Sequence, residues 1–405
     1  MTNDVIHADV AIVGAGLVGL SAAVALHQAG FSVVLVDSKN PAKTDDVLDE
    51  AWDSRIYAIS PKNAQWLSRL GVWQLLNPKR IGEMQAMEIF GGYSQAPLAL
   101  SANDANADNL GFIVESKALM RALLKQIETL GIQTLFDSPC TAVTTRAAAN
   151  TGSSKATLQL ANEKTIESSL LLAADGSHSW LRQQLNMPMD KKPYNQTAVV
   201  ANFKAEKPHA NIARQWFTLD AEGNNSILAW LPLPDDTISI VWSVSTRFAD
   251  SLLMLNDDEF TRQVMAAGGA VLGELKLISP AVAFPLTLQK TSTLVQDFVV
   301  LVGDAAHQIH PMAGQGVNLG FRDVVDLVEI LKEKNQYQTI NDGSLLKRYT
   351  RLRKADLLNM LLLTDGLYQL FESQNKVIKK VRNWGLSATN HQSIKKMLVE
   401  KAISL

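Results

Sequence analysis

The sequence predicts an α/β protein in which a discontinuous nucleotide-binding domain is interleaved with a mixed or antiparallel β-sheet domain and followed by C-terminal helices. Three observations predict it: a glycine-rich strand–turn–helix near the N-terminus, two later buried strands that each lead into a paired Asp and Gly, and a run of alternating strands within 188–285. With 405 residues, of which 47% are hydrophobic, the chain can form two or three packed domains.

Composition excludes several classes of protein. The 38 basic and 40 acidic side chains nearly balance, so no basic field for nucleic acid is expected. The single cysteine, Cys140, excludes an internal disulfide framework and a cysteine-based zinc site, and it suits a reducing cytoplasm. Residues 10–36 carry no Asp, Glu, Lys or Arg, but Asp4 and Asp9 precede them and glycines interrupt them. This pattern favours a buried strand, turn and helix over a signal peptide or a membrane span.

The first element is a strand–helix–strand unit. The segment DVAIV (9–13) is typical of a short buried strand, and FSVVLVD (31–37) of a second one. Between them, LSAAVALHQAG (20–30) predicts a helix with Gly30 at its C-terminal end. The first strand and the helix are joined by Gly14-Ala15-Gly16-Leu17-Val18-Gly19, a G-x-G-x-x-G pattern.

Each glycine of this Rossmann-like pattern has a physical role. Gly14 permits the tight turn, Gly16 lets a pyrophosphate approach the backbone, and Gly19 lets helix and strand pack closely. The phosphates are expected at the helix N-terminus, where backbone N–H groups are free. Asp37, at the end of the second strand, favours a free ribose hydroxyl over a 2′-phosphate. The motif leaves NAD and FAD open, and a glycine-rich turn in an unrelated α/β sheet is the alternative.

Two further strands lead into similar signals. In LLLAADGSHSWLR (170–182) a buried strand is followed by Asp175-Gly176, although this pair is also common in simple turns. In VVLVGDAAHQIHPMAGQGVNLGFRD (299–323) a strand is followed by Gly303-Asp304, and a helix is expected to begin near Gly316.

These elements, in this order and spacing, resemble the flavoprotein aromatic hydroxylases typified by para-hydroxybenzoate hydroxylase. Within that family, DSRIYAIS (53–60), IVESKALMRALL (113–124) and GDAAHQIHPMAGQGVNLGFRD (303–323) are similar to the ubiquinone-biosynthesis hydroxylases. The resemblance extends from Asp9 to about Phe371.

The resemblance implies FAD as the bound cofactor. Asp304 would bond the ribityl chain, and Arg55 would contact the pyrophosphate or ribityl region unless it forms only a surface salt bridge. The helix after the last motif would aim its positive end at the flavin and stabilise the reduced anion. The residues assigned to the cofactor are Gly14, Gly16, Gly19, Asp37, Arg55, Asp175, Gly176, Gly303, Asp304, Pro311, Gly314, Gln315 and Gly316. Ser116 departs from the broader family, which often has Arg near this position.

The resemblance also implies the reaction. NAD(P)H would be a transient reductant and O₂ a co-substrate, and a flavin C4a-hydroperoxide would hydroxylate a polyprenylated phenol in ubiquinone biosynthesis; C5 is a guess for the ring position. No protein nucleophile or base is expected. His310 and Pro311 would lie near the flavin, although His310 bonding only the backbone is the alternative. His307 and His310 lack a third ligand, so no metal site is expected.

Two other functions remain open. One is a different flavin monooxygenase or reductase on the same scaffold. A halogenase is disfavoured because the chain lacks a Trp-x-Trp-x-Ile-Pro pattern. The other is a non-catalytic member of a quinone-biosynthesis complex, which would be colourless and unable to take up FAD.

The expected domains are discontinuous in sequence. The FAD-binding domain comprises 1–75, 105–187 and 286–345, the substrate domain 76–104 and 188–285, and the C-terminal helical region 346–405. Period-2 alternation in 188–285 predicts a sheet that roofs a substrate cavity. Its candidate lining residues are Trp216, Phe217, Trp230 and Pro232, with core packing as the alternative for each.

The C-terminal region is basic. Residues 346–405 carry 12 Lys or Arg and 4 Asp or Glu. The region could be a solvated face, or it could dock on anionic lipid or on acidic partner subunits. The second interpretation would place the protein in the cytoplasm, peripheral to the inner face of the membrane.

Overall fold

Three β-sheets organise the part of the chain that the computed structural model describes, which is residues 5–44, 51–91, 97–146, 155–309, 316–372, 395–397, 399–400 and 403. The strands are β1 (Val5–Val13), β2 (Val33–Val36), β3 (Ile56–Ile59), β4 (Gly82–Met84), β5 (Ala86–Gly91), β6 (Leu98–Ser101), β7 (Gly111–Glu115), β8 (Gln133–Leu135), β9 (Cys140–Arg146), β10 (Lys155–Leu160), β11 (Thr165–Ala173), β12 (Asp190–Ala205), β13 (Ile212–Leu219), β14 (Asn225–Leu233), β15 (Thr237–Ser245), β16 (Leu275–Leu277), β17 (Val282–Lys290), β18 (Val295–Gln296), β19 (Val299–Leu301) and β20 (His307–Gln308). The helices are α1 (Leu17–Gln28), α2 (Pro61–Arg69), α3 (Ser116–Thr129), α4 (Trp180–Gln184), α5 (Thr246–Leu253), α6 (Asp257–Ala267), α7 (Gly316–Lys332) and α8 (Gly343–Glu372).

The first sheet has a parallel centre with the strand order β8-β2-β1-β11-β19. Counted in chain order, these five strands have the order 3-2-1-4-5 of dinucleotide-binding folds. Residues of β2 and the second half of β11 are buried, as expected for central strands of a parallel sheet that is covered on both faces. The carboxyl ends of β1, β2, β11 and β19 therefore lie along one edge, and each leads into one of the predicted motifs.

The second sheet is mixed and has nine strands. Its order is β20-β17-β12-β15-β14-β13-β5-β6, with β16 beside β12. The β5–β13 pair is parallel, and the other pairs are antiparallel. The sheet thus joins strands from 76–104 to those from 188–285. The short third sheet, β3-β7-β4, is antiparallel.

One face of the nine-stranded sheet packs on α5 and α6. Residues of β12, β14 and β15 form a core there with Leu252, Phe260 and Val264. On the opposite face, the Asn202 side-chain amide of β12 donates to the backbone oxygen of Asp53 at 2.9 Å.

The C-terminal part of the chain packs against elements of both halves of the fold. Helix α8 packs along α7, and the buried Val399 packs on Leu98 and Leu100 of β6. Among the described residues, no helix combines the length and the apolar character needed to cross a bilayer.

Candidate functional site

The glycine-rich turn between β1 and α1 is shaped by two glycines and open at the third. Gly14 has φ +107°, and a Cβ there would overlap the carbonyl oxygen of Ala174. A Cβ on Gly19 would overlap the carbonyl oxygen of Gly14, whereas one on Gly16 would have no atom within 4 Å. The backbone therefore requires glycine at 14 and 19, and Gly16 borders free space.

The N-terminus of α1 is suited to an anion. Gly16 is its N-cap, and neither a capping side chain nor an acidic residue in the first turn satisfies the N–H groups there. The Asp37 carboxylate lies beside the turn, because its Oδ2 accepts from the Ala15 N–H at 2.6 Å and its Oδ1 from the Lys39 N–H at 2.8 Å.

Asp175 lies on the other side of the same turn, since its backbone nitrogen is 2.7 Å from the Cβ position of Gly14. Its carboxylate bonds Ser179, the N-cap residue of α4, and accepts from the Leu181 N–H in the first turn of that helix at 3.1 Å. Burial raises its pKa, and these hydrogen bonds oppose the rise. The structure thus brings Gly14, Asp37 and Asp175 together.

Cys140 borders this cluster and should be chemically inert. Burial raises the pKa of its thiol from 9.0 to about 12, and the charges of Asp175 and Asp37 add to the effect. At neutral pH the thiolate population should therefore be about a thousandfold below that of an unperturbed thiol. Iodoacetamide should label the native protein far more slowly than the same protein in urea, and equal rates in the two states would contradict the assignment of this half-buried thiol as inert.

The Gly303-Asp304 turn follows β19. Gly303 has φ +57°, a left-handed conformation that favours glycine. Burial raises the pKa of the Asp304 carboxyl, while the charges of His307 and Arg55 oppose the rise. The exposed Arg55 guanidinium lies over the rings of Tyr57 and Phe284, with centroid distances of 5.7 and 5.9 Å. Arg55 and Asp304 therefore interact across one region where the two large sheets meet.

A hydrogen-bond cluster that sequence reasoning missed fixes the backbone before Arg55. The Asp53 carboxylate accepts from the N–H groups of Arg55 and Lys117, both at 3.0 Å. Glu115 accepts from the Asp53 N–H at 2.7 Å and forms a bidentate pair with Arg80, with both N–O distances 2.7 Å. The DSR segment could have suggested Asp53, but no local signal points to Glu115 or Arg80.

Asn318 fixes the first turn of α7. Its Oδ1 accepts from the Ser60 N–H at 3.0 Å and from the Asn63 side chain at 2.8 Å, and its Nδ2 donates to the Ala58 carbonyl at 2.7 Å. The described part of the helix begins at Gly316, in agreement with a helix predicted from about this position. The departure residue Ser116 hydrogen-bonds the hydroxyl of Tyr57.

Four predicted site residues lie outside the described residues. They are His310, Pro311, Gly314 and Gln315. Their expected contacts with the flavin stay predictions. His307 is described, and its Nε2 bonds Asp323 at 2.8 Å. Among the described residues, no group of three or more His, Cys, Asp or Glu side chains could hold a metal ion.

The predicted substrate-lining residues divide between the two faces of the nine-stranded sheet. Trp216 and Trp230 are in the core beside α5 and α6, with ring centroids 4.9 Å apart, so their predicted place in the cavity is corrected to core packing. Pro232 is buried and pairs with Ile238 of the same core. Phe217 is half-buried and pairs with Ile227, which places it on the opposite face.

Comparison with known proteins agrees with this geometry. The family model described as FAD binding domain matches residues 7–360. The chain is 32% identical to the ubiquinone hydroxylase UbiL of Rhodospirillum rubrum, covering 98% of this chain and 89% of that protein. It is 31% identical to the 3-demethoxyubiquinol 3-hydroxylase of Escherichia coli, covering both proteins completely. It is 30% identical to the human mitochondrial ubiquinone biosynthesis monooxygenase COQ6, covering 94% and 89%.

Solved structures show the same fold. The p-nitrophenol 4-monooxygenase PnpA of Pseudomonas putida superposes with a TM-score of 0.75 at 15% identity, covering 99% of this chain and 98% of that one. Klebsiella pneumoniae HpxO, in complex with FAD and uric acid, superposes with a TM-score of 0.72 at 17% identity, covering 98% and 97%.

Proposed function

The chain belongs to the FAD binding domain family, and from this membership we propose that it hydroxylates a polyprenylated phenol in ubiquinone biosynthesis, using NAD(P)H and O₂. The observation that carries the proposal is the convergence of four motifs on one sheet edge. Gly14, Asp37, Asp175 and Asp304 follow the carboxyl ends of β1, β2, β11 and β19, where α/β sheets bind nucleotides.

The residues of this edge fit FAD. The free space at Gly16 and the uncapped start of α1 suit the pyrophosphate. Asp37 would accept from ribose hydroxyls and Asp304 from the ribityl chain, with Arg55 as a nearby cation. When bound, FAD supplies the redox chemistry: it accepts electrons from NAD(P)H and activates O₂.

The protein contributes orientation and electrostatics. Asn318 fixes the start of α7, so the positive end of this helix dipole is held rigidly and can stabilise negative charge on a bound ring. Asp53 and Glu115 hold the backbone that carries Arg55. We assign no described side chain as a nucleophile or general base.

The substrate should bind against the face of the nine-stranded sheet that is turned away from α5 and α6. Phe217, Ala229, Val241 and Phe284 are half-buried on this face, which also carries the polar Gln196, Asn202 and Gln215. The apolar part of this face suits a prenylated ring, and excluding water there would protect a reactive flavin from solvent. His310 and Pro311 would lie near the reacting ring.

The test is purification followed by turnover. The protein should be yellow, and with NAD(P)H and a short-chain prenylated phenol it should add one oxygen atom, labelled when ¹⁸O₂ is supplied. A colourless protein that cannot take up FAD would indicate the non-catalytic alternative. A flavoprotein that never hydroxylates prenylated phenols would indicate another flavoenzyme on this scaffold.

We also propose that the basic C-terminal region brings the protein to anionic lipid at the inner face of the membrane. Reversing Lys376, Lys379, Lys380 and Arg382 to Glu, all outside the described residues, should release the protein from liposomes while leaving flavin content unchanged. Each basic residue near such a surface contributes about 1 kcal/mol, and salt weakens the attraction. Unchanged sedimentation with anionic liposomes would mean that these residues are only a solvated face.

A further inference from the structure

A buried carboxylate lies directly beneath the Gly303-Asp304 turn. Asp323 of α7 is 1% exposed. Its Oδ2 accepts from the Gly303 N–H at 2.7 Å and from His307 Nε2 at 2.8 Å. Its Oδ1 accepts from Arg353 Nε at 2.7 Å. One carboxylate therefore holds both ends of the short segment that contains Asp304.

Arg353 connects this carboxylate to α8. Its side chain is 3% exposed, and its Nη1 donates to Asp326 and to Asp356, each at 2.7 Å. Burial opposes the charge of Arg353, but the neighbouring carboxylates raise its pKa above the ordinary value. Arg353 is therefore not part of the basic surface expected for the C-terminal region.

Other side chains hold the same segment through its backbone. The Tyr349 hydroxyl of α8 donates to the Leu301 carbonyl at 3.2 Å. Arg182 donates from Nη1 to the Ala305 carbonyl at 2.8 Å. Helix α8 also packs Leu357 and Met360 against Ile309. Side chains of α4, α7 and α8 therefore fix the turn and the residues on either side of it.

A buried ion pair is a costly way to join two helices, because apolar residues of similar volume are often as stabilising. The cost of the Arg353–Asp323 pair is explained if the pair orients the backbone and the imidazole that Asp323 binds. The Asp323 carboxylate fixes a left-handed glycine and an imidazole, and Asp304 lies between them in sequence. An apolar contact could not hold a backbone N–H in one direction.

We propose that Arg353 and Asp323 are positioning residues for the flavin: Arg353 orients the Asp323 carboxylate, which holds Gly303 and His307 and thereby sets the Asp304 carboxylate toward the cofactor. Helix α8 then contributes to cofactor binding through Arg353. This inference rests on the proposed function only in taking FAD as the ligand.

The alternative is that Arg353 merely joins α7 to α8, and Arg322 provides the matched control. Arg322 lies on α7 next to Asp323 in sequence, its side chain is 12% exposed, and its Nη1 donates to Asp356 of α8 at 3.2 Å. Arg322→Met should therefore disturb helix packing without removing a hydrogen bond from Asp323.

The experiment compares Arg353→Met, Asp323→Asn, the double variant and Arg322→Met. FAD is titrated into each apoprotein to obtain Kd, thermal unfolding is followed without FAD, and visible circular dichroism reports the environment of the bound flavin. Arg353→Met and Asp323→Asn should each raise Kd by about tenfold or more and change the dichroism. Arg322→Met should lower Tm while leaving Kd and the dichroism as in the wild type.

The double variant decides whether Arg353 acts through Asp323. With Asn at 323, Arg353→Met should raise Kd no further. The double variant also leaves no unpaired charge between these two positions, so it should fold even if a single variant does not. A wild-type Kd and dichroism in Arg353→Met, or in the double variant where the single one does not fold, would overturn the proposal. Failure of the wild-type protein to bind FAD would instead refute the proposed function.

Discussion

Gly16→Val should give a folded protein that has lost its flavin. No atom lies within 4 Å of the Cβ position of Gly16, and its backbone, with φ −76° and ψ 179°, is in the extended region that valine readily adopts. The added side chain would occupy the space where we place the pyrophosphate and would keep it from the N–H groups of α1. Purified Gly16→Val should show wild-type unfolding behaviour as apoprotein and no flavin absorbance.

Two other glycines make this test specific. Gly14→Val should fail to fold properly, because φ is +107° and the new Cβ would overlap the Ala174 carbonyl. Gly343, at the start of α8, has free space around its Cβ position, as Gly16 does, and it is far along the chain from the turn. Gly343→Val should therefore keep its flavin. Full FAD occupancy in Gly16→Val would show that this turn is not part of the cofactor site.

The nucleotide-binding part could be predicted from sequence because its signals are local. The glycine pattern, the strand before it and the helix after it lie within 9–30, and the structure has β1 and α1 there. Each motif glycine acts on atoms of its own turn or of the neighbouring strand. Asp37 could be placed beside the turn because β1 and β2 are adjacent parallel strands.

The supporting contacts could not be predicted, because they join distant parts of the chain. Arg353 of α8 donates to Asp323 of α7, and Asn202 of the nine-stranded sheet donates to the carbonyl of Asp53, which precedes β3. Arg353 is one of the basic residues in 346–405, but composition does not show that its charge is buried. A pairing of this kind depends on tertiary packing, and no spacing in the sequence encodes it.

The tryptophans of the nine-stranded sheet show a second limit. Alternation correctly predicted strands in this region, since β12–β15 cover the segments with period 2. Alternation does not predict which face of the sheet borders a cavity, because protein covers both faces and large apolar side chains suit either face. Trp216 and Trp230 therefore proved to be core residues beside α5 and α6.

Asp304→Asn should change apoprotein stability and FAD affinity in opposite directions. In the folded apoprotein, burial raises the pKa of this carboxyl above its ordinary value. A raised carboxyl pKa means that folding disfavours the ionised form, so stability is lost as pH rises from the ordinary pKa through the raised one. Asparagine keeps the shape and removes this penalty. The apoprotein of Asp304→Asn should therefore have an equal or higher Tm at pH 8, and a smaller fall in Tm between acidic and neutral pH.

FAD binding should respond the other way, because the ionised carboxylate is the stronger acceptor for a ribityl hydroxyl. A hydrogen bond to a charged group contributes roughly 1.5 to 3 kcal/mol, so its loss should raise Kd by about ten- to a hundredfold. Asp304→Ala, which removes the acceptor altogether, should bind FAD at least as weakly as Asp304→Asn. Titration of FAD into the three apoproteins measures this. Wild-type affinity in Asp304→Ala would show that Asp304 does not contact the cofactor, whereas weak binding combined with undiminished apoprotein stability would mean that this carboxylate is maintained for the ligand at the expense of the fold.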